Sequence, residues 1–373
     1  MSSSNTEILP YRSTAAREHL AEGYTRPDTL TVDIHGHMLV PEADALIRPH
    51  LPAASLDAVK YAGEASRKVN AQQNIDRANE LAGTEERLAE MDRMGIDVMI
   101  ISPVPPQFNY LADAGLCLEG SQIINDRLAQ AVKDHPERLR AIGTVPLQDT
   151  DRAISELERC MGELGMLGLE IGANAGTEEL SVDRLDPFWA RVEELNAPIL
   201  LHPTSFASDR MGDHYLTNTI GNPLETTVAV HHMIYGGVLE RFPGLRIVLS
   251  HGGAFAAAYA ARMDHAWGAR PDCRGRISRP PTSYLKQMYF DSIVFETDQL
   301  AFLVGKYGAD RVLIGTDYPF DMAEFDPIEH VLQTPGLSAE DQAKICGLNA
   351  VELLGLNPAE FGRATAGPLK ANR

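Results

Sequence analysis

Residues 31–38 read TVDIHGHM. A run of β-branched and aliphatic residues ends on two histidines separated by a single glycine. Side chains alternate along a strand, so His35 and His37 fall on one side, and Gly36 between them leaves room for close approach. Three later runs have the same form. APILLHPT at 197–204 reaches His202, RIVLSHGG at 246–253 presents His251, and RVLIGTDYP at 311–319 carries Asp317. Polar, chemistry-bearing side chains at the C-terminal ends of several apolar strands are the placement used by a (β/α)8 barrel.

Four more strand runs complete the set: DVMIIS at 97–102, RAIGTVP at 140–146, MLGLEIG at 166–172 and MYFDSIV at 288–294. Most are near-continuous apolar stretches, as expected of parallel strands buried on both faces. Helical patterns lie between them. In TEERLAEMDRMG at 84–95, Leu88, Met91 and Met94 recur on one face, with Thr84 as N-cap and Gly95 as the stop. Arg87 stands where a capping box would have Glu or Gln. SQIINDRLAQAVKDHP, DRAISELERCMGELG, LETTVAVHHMIYGGVLERFPG and the alanine-rich AFAAAYAARMDHAW also read as helices. The expected class is therefore α/β, a (β/α)8 TIM barrel over residues 31–357. Residues 41–83 are too long for an ordinary βα loop and predict a small insertion or lid over the active-site face after the first strand. Residues 1–30 form an N-terminal arm, and residues 358–373 a C-terminal tail.

Composition limits the function classes. The chain has 373 residues, 44% of them apolar, and a formal net charge of −19. That balance lacks the basic footprint of a nucleic-acid binder, and no basic helix offers itself to an anionic membrane. No apolar run approaches the roughly 18 residues of a membrane span. The first 30 residues show no signal-peptide core, so a cytoplasmic protein is expected. Cys117, Cys160, Cys273 and Cys346 lie far apart without CxxC spacing and read as free thiols.

His35, His37, His202 and Asp317 make a mixed nitrogen and oxygen ligand set. It suits Zn²⁺, with Mn²⁺ or another divalent metal as alternatives. A single strand-end histidine is more often a hydrogen-bonded structural residue, but the grouping on several strand ends favours a metal. His251, followed by two glycines, fits a general acid/base better than a ligand. Asp317 has a second role open to it, as a proton acceptor for water as well as a ligand. No lysine stands at the fourth strand end, where a bridging carbamate would sit, so one metal is expected rather than two. Arginines are the natural carboxylate clamps. Arg262 and Arg270 follow His251, and Arg67 and Arg77 lie in the insertion.

The segments DIHGHMLVPEA, HPERLRAIGTVPLQD, ILLHPT, NPLETTVAVHHMIYGGVLERFPGLRIVLSHGGAF, ARMDHAWGARPD and RVLIGTDYPF resemble the amidohydrolase superfamily. The likeness is to its branch of metal-dependent decarboxylases of the aminocarboxymuconate-semialdehyde type, and it spans most of residues 31–357. It implies one Zn²⁺ on His35, His37, His202 and Asp317, with His251 as the acid/base. It implies that Arg270 crosses a homodimer interface to hold a substrate carboxylate in the neighbouring site. Arg77, Phe320 and Asn218 are the further candidates for substrate contact. Two tryptophans of the branch are missing: Thr204 follows the HP motif, and the second position falls near Asn218. The expected function is non-oxidative decarboxylation of an aromatic or muconate-like carboxylic acid. The alternative is a metal-dependent hydrolase or hydratase using the same site.

Overall fold

The computed structural model describes residues 24–52 and 57–361. The arm before residue 24 and the tail after residue 361 lie outside the described residues. All eight strand runs form strands: β1 (Val32–Met38), β2 (Val98–Pro103), β3 (Leu139–Ala141), β4 (Leu169–Gly172), β5 (Ile199–His202), β6 (Ile247–Leu249), β7 (Tyr289–Asp291) and β8 (Val312–Leu313). Every pairing is parallel, in one sheet of order β1-β2-β3 and another of order β4-β5-β6-β7-β8. Backbone bonds join the two sheets on both sides. Gly143 and Glu170 link the β3 extension to β4, through Gly143 N to Gly168 O at 3.0 Å and Glu170 N to Gly143 O at 2.7 Å. Ile34 N to Ile314 O at 2.9 Å and His37 N to Tyr318 O at 2.7 Å link β1 to the segment after β8. The result is a (β/α)8 barrel.

Alternation along the strands separates two apolar layers. Val32, Ile34, Val98, Ile100, Leu200, Val248 and Leu313 pack together as the barrel interior, closed by Leu353, Leu354 and Phe361. Met99, Ile101, Ile171, Ile199, Leu201, Ile247, Leu249 and Phe290 face the helices. Each such fully buried aliphatic side chain contributes about 1.5–3 kcal/mol relative to exposure. On the inward face, His202 stands two residues beyond Leu200, and Ser102 two beyond Ile100. β1 reaches the same mouth through a register irregularity between Asp33 and Gly36.

Several details differ from the sequence expectation. Thr84 occupies the N-cap position of helix Glu85–Met94, but its side chain makes no capping bond. Gly95 does end that helix, in the left-handed conformation at φ 73°. The alanine-rich segment is two helices, Ala254–Ala258 and Ala261–Ala269, broken at Tyr259. LETTVAVHHMIYGGVLERFPG likewise breaks after Tyr235, where Gly237 takes φ 76°. The run at 140–146 is a strand only at its start, because pairing continues through isolated bonds at Gly143. The insertion folds as short helices, including Pro41–Ile47, Glu64–Asp76 and Ala78–Ala82.

Candidate metal centre and active site

His35, His37, His202 and Asp317 converge at the C-terminal mouth of the barrel, all four buried. One ligand atom from each lies within 4.8 Å of the others. His35 Nε2 is 3.0 Å from His37 Nε2, and His37 Nε2 is 3.0 Å from Asp317 Oδ1. The His202 ring centroid is 5.0 Å from those of both His35 and His37. Ligand atoms about 2.1 Å from a single ion stand roughly 3–4 Å apart, so the spacing is of the right size.

Each imidazole is oriented by the nitrogen that faces away from the centre. His35 Nδ1 meets Asp291 Oδ2 at 2.8 Å, His37 Nδ1 meets the Pro103 carbonyl at 2.9 Å, and His202 Nδ1 meets the Pro203 carbonyl at 2.8 Å. These partners are acceptors, so each Nδ1 carries the proton and donates it. Three Nε2 lone pairs are then left pointing at one another and at a carboxylate. His202 Nε2 and Asp317 Oδ1 are buried and accept no hydrogen bond. Converging lone pairs repel unless positive charge lies between them. The donor set, its spacing and its orphaned atoms therefore fit a divalent cation.

The charge states agree. Burial and the neighbouring imidazoles hold His202 well below the usual histidine range. Burial also lowers His35, against the pull of Asp291 and Asp317. Burial alone would raise the Asp317 carboxyl, yet the imidazoles of His251, His37 and His35 keep it well below the usual carboxylate range. Burial would likewise lower His37, but the charges of Glu170 and Asp317 outweigh it and raise it. The four groups together favour positive charge in their midst.

His251 stands beside this cluster. Its Nε2 is 3.5 Å from Asp317 Oδ2, and its buried Nδ1 has no hydrogen-bond partner. Burial lowers its pKa, but the bond to Asp317 and that carboxylate's charge outweigh the loss and raise it. The backbone around it is unusual: His251, Gly252, Gly253 and Ala254 all have positive φ, between 52° and 71°. A Cβ on Gly252 would lie 2.3 Å from Val294 Cγ1, which explains the glycine there. A Cβ on Gly36 would lie 2.7 Å from Met99 Sδ, so the glycine leaves room for that buried methionine.

The sequence pattern does not show the role of the supporting residues. Asp291, at the end of β7, accepts from His35 Nδ1 and also from the backbone N–H groups of His251 at 2.9 Å, Gly252 at 2.7 Å and Ile293 at 3.1 Å. Its only signal was the polar FDS after an apolar run. Asp33 accepts from His35 N and from both the backbone and the hydroxyl of Thr316, tying β1 to the last ligand's loop. Burial pushes its carboxyl up to about 7. Glu170 on β4 is buried 3.7 Å from His37 Nδ1 and is raised by burial to about 7. Arg87 is fully buried behind β1 and donates to the His37 carbonyl at 2.5 Å, with its guanidinium 5.0 Å over the Tyr318 ring. Burial lowers its pKa to about 10.

Two cavities open from the cluster. One of about 230 Å³ is lined by His202, Asp317, Phe320, Tyr215, Asn218 and Asp321, with Asn70, Gln73 and Asn74 from the insertion helix. The other, of about 410 Å³, holds His251, Asp317 and Asn218 against Phe255, Phe295 and Phe302. Asn218 thus lies between them, and the Phe320 ring is 5.4 Å from that of His37. Arg77 is placed differently from a pocket clamp. Its guanidinium donates to the Phe320 carbonyl at 3.4 Å and lies 5.8 Å over the Phe325 ring, outside both linings. Arg270 is not part of its own chain's site: it is exposed and pairs with Asp272 at 2.7 Å.

The sequence pattern of the amidohydrolase family matches residues 32–356. The chain is 35% identical over 277 residues to a 2-amino-3-carboxymuconate-6-semialdehyde decarboxylase from Dictyostelium discoideum, covering 74% of this chain and 77% of that one. It is 32% identical over 288 residues to a gamma-resorcylate decarboxylase from Polaromonas sp. strain JS666, covering 73% and 87%. Its fold matches the crystal structure of a dihydroxybenzoic acid decarboxylase from Polaromonas sp. JS666, which holds manganese and the inhibitor 2-nitroresorcinol. The TM-score is 0.74 at 25% identity, over 88% of this chain and 97% of that one.

Proposed function

This chain belongs to the amidohydrolase family, and on that footing we propose that it is a metal-dependent non-oxidative decarboxylase of an aromatic or muconate-like carboxylic acid. The observation that carries the reading is the convergence of three Nε2 lone pairs and the Asp317 carboxylate beside a free imidazole, at the mouth of a substrate-sized cavity. His35, His37, His202 and Asp317 would hold one divalent ion. Zn²⁺ suits the nitrogen-rich donor set, with Mn²⁺ as the alternative. When bound, the ion would supply Lewis-acid stabilisation of the negative charge left as CO2 departs.

The remaining work falls to side chains of the chain itself. His251 faces the cavity with a proton stabilised by Asp317. When the bond to the carboxylate breaks and CO2 leaves, its electron pair is captured by that proton, forming a C–H bond and leaving His251 neutral. Phe255, Phe295 and Phe302 give the cavity an apolar wall beside His251. Asn218 and Phe320 position the ring, and Arg77 acts through the Phe320 loop. Arg270, exposed on its own subunit, serves the neighbouring site of a homodimer. The exposed Phe255, Tyr259, Phe295 and Phe302 offer apolar surface for such a contact. The described cysteines are free, three of them buried, which suits the reducing cytoplasm. No described helix is long and apolar enough to cross a membrane.

The test is mass spectrometry of products after the metal-loaded protein has met a panel of hydroxylated aromatic acids, muconate semialdehydes and unsaturated diacids. A product lighter by CO2 is expected. A product heavier by water would move the chain to the hydratase reading.

A further inference from the structure

The smaller cavity contains a carboxylate that the reaction above does not use. Asp321 lines it together with Tyr215, His202, Asp317 and Phe320. The Tyr215 hydroxyl donates to Asp321 Oδ1 at 3.3 Å. The two residues come from different places, Tyr215 from the loop after β5 and Asp321 from the loop after β8. Tyr215 is held by its backbone. His214 and Tyr215 both take positive φ, 53° and 61°, and the Tyr215 carbonyl accepts from the N–H groups of Asn218 at 2.9 Å and Thr219 at 3.0 Å. Two successive non-glycine residues in that region are uncommon and mark a constrained, purposeful turn. No lysine or arginine lines this cavity among the described residues.

A carboxylate has about four acceptor positions; the Tyr215 hydroxyl takes one, and the backbone N–H groups of Asp321 and Met322 also reach it. A substrate that displaces water from this pocket leaves the rest unsatisfied unless it brings a donor of its own. A second carboxylate placed there would face like charge from Asp321 and Asp317. We infer that Asp321, steadied by Tyr215, is a specificity-determining residue. It accepts a hydrogen bond from a hydroxyl or amino group on the ring, away from the departing carboxylate, and selects against a substrate with a second carboxylate at that position. The inference rests on the decarboxylase reading for the substrate's first carboxylate.

The test uses the full-length, metal-loaded enzyme and salicylates bearing hydroxyl, amino, methoxy or carboxylate groups at ring positions 4 and 5. Steady-state decarboxylation is read alongside calorimetric binding of the corresponding phenols, which lack the departing carboxylate and do not turn over. For D321A we expect KM for the hydroxyl and amino members to rise by about 10–100-fold, the loss of a hydrogen bond to a charged group. Turnover number and the methoxy member should change little. D321N, nearly isosteric, should bind the dicarboxylate better than the wild type, and Y215F should reproduce D321A in weaker form. Equal losses for hydroxyl and methoxy members, or a wild type that prefers the dicarboxylate, would overturn the assignment. The decarboxylase reading fails separately. If no salicylate releases CO2 but phenol binding keeps its dependence on Asp321, the specificity role stands, and if the phenols show no such dependence it falls.

Discussion

Asp291 receives a hydrogen bond from His35 Nδ1 at 2.8 Å on the same oxygen that accepts the backbone N–H of His251 at 2.9 Å. One buried carboxylate therefore orients a metal-ligand candidate and the acid/base candidate together. It fixes the tautomer of the first and the backbone position of the second. The orientation of His35 and the placement of His251 are thus coupled through one carboxylate that is not itself in the four-residue cluster.

Asp291→Asn should expose that coupling. An amide can present its NH2 to His35 Nδ1, which moves the imidazole proton to Nε2 and blocks the lone pair. Metal affinity should fall by about 10–100-fold. Competition against a chelator, followed by elemental analysis, measures it. An unchanged affinity would mean the His35 tautomer is set by something else.

His251→Ala should keep its metal and lose turnover. Loss of a positioned general acid costs on the order of 10²–10⁴ in rate. Metal content per subunit and turnover number, measured on the same preparation, separate the roles. Stoichiometric loss of metal would make His251 a ligand.

Chelation should abolish activity and lower the melting temperature, since the ion binds the folded site and not the unfolded chain. Metal affinity should also fall as pH is lowered. Protons compete for the imidazoles and for Asp317, and the raised His37 takes up its proton before the depressed His202 does. Reloading with Zn²⁺ or Mn²⁺ and assaying each identifies the working ion. Retention of full activity after complete metal removal contradicts the site assignment.

Gly252→Ala places a methyl group 2.3 Å from Val294 Cγ1 in a residue held at φ 62°. Backbone strain of this kind costs about 1–3 kcal/mol, readable as a shift in chemical denaturation midpoint. Activity should fall further than stability, because relief of the clash moves the His251 backbone. A variant with wild-type midpoint and turnover would show that the turn is tolerant.

The barrel and the four converging side chains were legible in the sequence because strand alternation is a strict rule. An apolar run that stops at a polar residue announces which end faces the chemistry. Asp291 was not legible, since a single aspartate closing a short strand looks like any hydrogen-bonded carboxylate until its partners are known. Arg87 stands in a helical pattern three residues after Thr84, and nothing in that pattern shows that its guanidinium reaches the His37 carbonyl on β1. Asp321 and Tyr215 meet only after two loops are folded over the mouth. The helix break at Tyr259 falls inside an alanine-rich stretch whose composition favours continuity, whereas the break at Gly237 falls at a Gly-Gly pair that signals a stop.

The bonds that join β1 to the segment beyond β8 place the first and last candidate ligands side by side, although most of the chain separates them. During synthesis, a ribosome-bound chain would display His35, His37 and later His202 long before Asp317 exists. The complete set of four forms only when the ring shuts, so an ion that needs all four would clasp a finished barrel and could not seed its folding. A chain cut short before residue 317 would hold three imidazoles and never the pocket that needs them.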